Sequence, residues 1–97
     1  MGEVSVTATA SVPRDQVDAV ERRVAALLRS AGERVSGAQL TLRRDSDPAS
    51  PRPFVADVVA FSRHGVIAAH ATGASPIQAG EALADELGRR LARMPSS

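Results

Sequence analysis

All twelve basic residues of this chain are arginine, and there are only two histidines and no cysteine. A planar guanidinium donates paired hydrogen bonds to phosphate oxygens, so these residue types favour phosphate recognition over proton or group transfer. Arg22 and Arg29 are seven positions apart and share one face of a predicted helix, with Arg23 and Arg34 at the margins of its apolar stripe. Arg89 and Arg93 form a one-turn pair with Arg90 beside them, all outward near the end of a second predicted helix. Arg43-Arg44 and Arg63 stand at predicted strand ends. Glu21, Asp85 and Glu86 lie close by, and basic residues late in a helix also complement its dipole. Spacing alone therefore leaves phosphate binding and an ordinary solvated surface both open.

Catalytic chemistry has little to draw on. His64 sits in a predicted turn and His70 in a predicted strand, where solvation and packing are their ordinary roles. No nucleophile elbow, glycine-rich phosphate loop or His/Asp/Glu set with metal spacing occurs. The reading is a protein that is not an enzyme and takes no metal and no cofactor.

The 97 residues suit one domain spanning 1–97, with a single core two layers thick. Hydrophobic residues make up 43% and aromatics 2%, so that core must be aliphatic. The lack of cysteine excludes a disulfide scaffold and fits a reducing cytosol. No apolar run approaches the roughly 18 residues of a membrane span, and no basic-then-apolar leader follows Met1. The expectation is a cytoplasmic protein with no membrane partner. Net charge is only +1, so attraction to nucleic acid depends on where the arginines gather.

Residues 3–12 alternate strictly, with Val4, Val6, Ala8, Ala10 and Val12 on one face, as in a half-buried strand. Pro13 ends it, and Val17, Val20, Val24, Leu27 and Leu28 trace a helix over 14–31 that stops at Gly32. Ala38, Leu40 and Leu42 mark a second strand. Arg43 to Pro53, with three prolines, reads as a long exposed loop. Phe54 to Arg63 is a third strand, apolar on both faces, and His64-Gly65 turns it into a fourth over Val66–Thr72. Ser75-Pro76-Ile77-Gln78 is a capping box, opening a helix whose apolar face runs through Leu83, Leu87, Leu91 and Met94.

The order is β-α-β-β-β-α. It predicts an α+β two-layer sandwich: a four-stranded mixed sheet with a parallel first crossover and both helices on one face. The other face is left to solvent or a partner, with Phe54 or Phe61 exposed on it. With no aromatic platform for unpaired bases, any RNA contact is expected to run through shape and phosphate.

The stretch Ala69–Arg93 resembles the last strand and helix of the ribosome hibernation-promoting factors, also called ribosome-associated inhibitors or sigma-factor modulation proteins. The family pattern, Ala-x-Ala-Ser/Thr-Gly followed by a helix with set Ala, Asp, Leu and Arg positions, is filled by Ala71, Thr72, Gly73, Ala79, Asp85, Leu87, Arg89 and Leu91. Element order and length match the short form, a double-stranded-RNA-binding-domain-like sandwich. The resemblance implies a non-enzymatic protein that binds the small ribosomal subunit and silences translation, with helix residues facing ribosomal RNA. Arg23, Arg89 and Arg93 fill basic places of the pattern; Arg22, Arg29, Arg43, Arg44, Arg63 and Arg90 join them from spacing. The chain departs from the pattern in its uncharged Thr7–Ser11, in Ala26 at a basic place, and in its short close after Arg93. The alternative is a protein-interaction module of the same fold, with weakened RNA contact, that forms a homodimer through the open sheet face.

Overall fold

The computed structural model describes residues 4–9 and 11–93, the side chain of Glu33 excepted. Strand β1 (Val4–Ala8) leads to helix α1 (Arg14–Ala31), a short 3₁₀ turn (Gly32–Arg34), strands β2 (Val35–Arg44), β3 (Phe54–Ser62) and β4 (Gly65–Gly73), and helix α2 (Pro76–Ala92). The sheet order is β1-β2-β3-β4, with β1 parallel to β2 and the other pairs antiparallel. This is the α+β architecture and element order expected from the alternation and helical periods.

The boundaries differ in instructive places. The first strand stops at Ala8, not at 12: Thr9 donates to Leu42 O, and its own carbonyl takes the Val12 N–H at 3.0 Å. Val12 is buried all the same, which is why the alternation seemed to continue. Ala10 and Met94 lie outside the described residues. Pro13 is the residue before α1, its carbonyl accepting from Gln16 and Val17. β2 begins three residues earlier and reaches Arg44, because Arg43 and Arg44 pair across to Val55 and Phe54. β3 stops at Ser62, leaving Arg63 in the turn, and β4 takes in Gly65 and Gly73.

One face of the sheet meets the helices. Ala38, Leu40 and Leu42 of β2 stand beside Ala60, Val58 and Ala56 of β3 and join Val24, Leu28, Leu83 and Leu87 in one aliphatic core. Fully burying each valine or leucine among them contributes about 1.5–3 kcal/mol. Residues between them in sequence point the other way: Gln39, Thr41 and Arg43, then Val55, Asp57, Val59 and Phe61. Of the two phenylalanines, Phe54 packs against the core, while Phe61 is 44% exposed on the open face beside Val66, 63% exposed.

α2 starts as its capping box requires, Ser75 Oγ accepting the Gln78 N–H at 3.1 Å. The reciprocal bond goes one residue further out, from Ala74 N–H to Gln78 Oε1 at 3.2 Å. Two glycines let this helix seat closely. A Cβ on Gly73 would lie 2.9 Å from Ala79 Cα, in the helix backbone; one on Gly80 would lie 2.5 Å from Val20 Cγ2, a side-chain methyl on α1.

Alanine ordinarily raises helix and strand stability relative to glycine by about 0.5–1 kcal/mol. Here the expected sign is reversed. Gly73→Ala should cost about 3 kcal/mol, because a backbone must yield, and Gly80→Ala about 1–2 kcal/mol, because Val20 can turn. Urea unfolding of the two variants checks the order; a neutral Gly73→Ala would mean that close approach does not seat α2.

Candidate functional site

The topology decides where the arginines go. α1 returns antiparallel to β1, and α2 descends from the end of β4, so the two helices run in the same direction. Ala19, Val20 and Arg23 of α1 share a groove with Ile77, Gly80 and Glu81 of α2. At the other end Leu27, Ser30 and Ala31 meet Gly88, Leu91 and Ala92. Both C-termini therefore lie at one end of the sandwich, where β2 begins and the β3–β4 turn closes, since Val35 pairs with Ser62.

That end gathers Arg29 from α1, Arg89, Arg90 and Arg93 from α2, and Arg63 from the turn, all exposed. Arg22 and Arg23 extend the basic side chains back along α1, Arg23 along the groove beside Glu81. Arg34 is half-buried, and its Nε caps Ala31 O at 3.1 Å, a structural task. In α1 acids come early, Asp15 and Asp18, and Arg29 late; α2 has no acid in its first turn, and Asp85 and Glu86 stand just before its Arg89 and Arg90. The late arginines of both helices complement the helix dipoles, and parallel helices add their basic ends together.

Arg43 and Arg44 are not brought into this group. Both sit where β2 ends, at the far end of the sheet. Arg44 lies over the Phe54 ring at 5.4 Å, and Arg43 projects onto the open face, where its Nε stands 3.9 Å from Asp57 Oδ2. His70 Nδ1 approaches the other oxygen of that carboxylate at 2.5 Å. This cross-strand trio was invisible in sequence, because only the registers Arg43↔Val55 and Asp57↔His70 bring three strands' residues together. His64 occupies the turn as expected, its N–H donating to Ser62 Oγ.

Arg22, Arg23, Arg29, Arg63 and Arg93 form no ion pair with another described residue. Arg89 and Arg90 do, sharing Glu86 at 2.7 and 2.9 Å. The hydrogen bond from Arg89, then that from Arg90, holds the Glu86 carboxyl below the usual carboxylate range. A carboxylate depressed in the fold supports stability above its unfolded pKa and loses that support as pH falls through the folded one. NMR titration should find the Glu86 midpoint below the usual carboxylate range, and Arg89→Ala with Arg90→Ala should move it up toward that range; an unmoved midpoint would show that the forks do not grip it.

No protein-family model and no curated protein sequence matches the chain. Solved structures do. A ribosomal subunit interface protein from Coxiella burnetii superposes with a TM-score of 0.73 at 12% identity, covering 94% of each chain. The N-terminal domain of Thermus thermophilus Protein Y superposes with a TM-score of 0.71 at 18% identity, covering 96% of this chain and 98% of that one. The chain carries their fold over nearly its whole length on a far-diverged sequence.

Proposed function

We propose that this domain binds the small ribosomal subunit and silences translation, with its basic end against ribosomal RNA phosphates. The observation that supports this reading most is the gathering of Arg22, Arg23, Arg29, Arg63 and Arg93, exposed and in no ion pair with a described residue, on a fold shared with a ribosomal subunit interface protein. Each such guanidinium is free to grip phosphate without first leaving a carboxylate. Arg89 must share itself with Glu86, and Arg43 and Arg44 stand at the far end, so the primary contacts fall to the unpaired set.

The mechanism is occupancy. A rigid sandwich with a basic end makes phosphate contacts that fix its position, and its bulk excludes messenger and transfer RNA from the surface it covers. No bond is made or broken. The site of action is the cytoplasm, where ribosomes are.

A second reading is a protein-interaction module, favoured by the adjacent Phe61 and Val66 on the open face. Salt separates the two. Binding through about five phosphates should weaken on the order of a hundredfold between low and moderate salt as counterions are released. Co-sedimentation with purified small subunits should show that loss. Arg23→Glu, Arg29→Glu and Arg93→Glu together should abolish it with the circular-dichroism spectrum unchanged, whereas Arg14→Glu, an exposed arginine at the opposite end paired with Asp18, should leave it intact. Binding that ignores both salt and the triple variant would sink the RNA reading and leave the apolar face.

A further inference from the structure

β4 is an edge of the sheet: it pairs with β3 on one side, and no described strand lies on the other. The other edge, β1, is five residues long. β4 runs for nine, Gly-Val-Ile-Ala-Ala-His-Ala-Thr-Gly, without proline, acid, arginine or bulge. Those are the devices that keep an edge from recruiting another strand.

The register shows which groups are offered. The two-residue turn Arg63-His64 closes on the pair Ser62↔Gly65, and residues flanking such a turn exchange their backbone bonds with each other. Alternation then directs the N–H and C=O of Gly65, Ile67, Ala69, Ala71 and Gly73 toward β3. Those of Val66, Ala68, His70 and Thr72 are directed outward.

We propose that a second copy of this chain pairs with β4, antiparallel about a two-fold axis through Ala69, to make one continuous sheet. The operation is self-consistent. It sets Ala68 opposite the other chain's His70 and Val66 opposite its Thr72, so outward groups meet outward groups. Ile67 and Ala71 then face each other on the helix side as apolar partners. Alanines at 68, 69 and 71 leave room for the approach.

The helix above the edge is complementary to its own copy as well. On α2, Gly88 faces α1. Glu86, two residues or about 200° earlier, lies on the opposite flank, and Arg90 shares that flank one turn on. Arg90 in turn borders a shallow concavity with Asp57, Val58 and Val59 of β3 and Ala68, Ala69 and His70 of β4, so its side chain reaches over the edge toward the open face and has to swing aside as a second strand pairs. α2 rests on β3 as well as β4, so two copies stand side by side across the axis rather than on it. Running antiparallel, each brings its Glu86 toward the other's Arg90, and the pair now closed within one helix at 2.9 Å can close between two.

Sedimentation equilibrium from micromolar to millimolar protein tests the proposal, with no ribosomes present, so its outcome is separate from that of ribosome binding. The mass should rise from monomer to dimer. Ala68→Pro removes an outward N–H and leaves the β3 ladder whole, as edge prolines do, and should hold the protein monomeric. Phe61→Glu, on the open face, should still dimerise. A monomer throughout the range overturns the proposal; so does dissociation by Phe61→Glu with Ala68→Pro still dimeric, which would make the open face the interface. Should the proline variant fail to fold, amide exchange on the wild-type chain decides. At high concentration the Val66, Ala68, His70 and Thr72 amides should slow by roughly tenfold or more, and exchange independent of concentration overturns the pairing.

Discussion

The seat of α2 is the constraint on which the rest depends. An aliphatic core has no directional contact to fix a helix's rotation about its own axis, and no polar or charged residue is buried in this one among the described residues. Steric fit does that work instead. Gly73 lets the first turn of α2 settle on the end of β4, and Gly80 lets its flank close on Val20. Rotating the helix would drive a Cβ-bearing neighbour into one of these gaps. With the rotation fixed, Leu83, Leu87 and Leu91 enter the core, Arg89 faces solvent, and Glu86, Arg90 and Arg93 share the flank on the edge side. In the family pattern that the sequence resembles, Ala-Thr-Gly leads into the last helix. In the structure its glycine is a packing device, which makes it a marker of the fold more than of the partner.

Element types were legible because hydrophobic period is a local property: the alternation of Val4 and Val6 and the stripe from Val17 to Leu28 needed no tertiary knowledge. Ends were less legible. Val12 is apolar and buried yet belongs to a turn, and Arg43 and Arg44 are polar yet extend a strand, because pairing with β3 outweighs a charged side chain at a sheet's end. The site was half legible. Helical spacing grouped Arg22 with Arg29 and Arg89 with Arg93, which local geometry permits. That the two groups share an end with Arg63 follows only from the parallel course of the helices. The separation of Arg43 and Arg44 from them, like the Arg43–Asp57–His70 trio, required strand register, which single-sequence patterns do not encode.

Helix dipoles and function push the charges the same way here, so the basic end is not by itself proof of a ligand. Acid early and base late stabilise any helix. What dipoles do not explain is the pairing. Arg14 takes Asp18, Arg43 takes Asp57, and Arg89 and Arg90 take Glu86, while among the described residues Arg22, Arg23, Arg29, Arg63 and Arg93, and at the far end Arg44 and Arg52, take no carboxylate. Arg63 lies in a turn and owes nothing to a helix. Exposed ion pairs add little stability, so leaving guanidinium groups unpaired costs the fold almost nothing while keeping them available to phosphate.

Geometry also bears on how a paired form would meet RNA. A two-fold through Ala69 stands perpendicular to the sheet, so both helix layers lie on the same side while strand directions reverse. The basic end of one copy then lies at the opposite extreme from the basic end of the other. Pairing would not merge the two arginine groups into one larger patch; it would hold them about one sheet-length apart, facing the same way. With nine residues of β4 rising about 3.3 Å each, the groups stand some tens of ångströms from each other. A dimer would therefore engage two separate phosphate tracts or leave one basic end unused. Since Arg90 and Arg93 lie on the edge flank of α2 while Arg22, Arg23 and Arg29 lie on α1, edge pairing and phosphate contact by α1 draw on different residues and can operate in the same molecule.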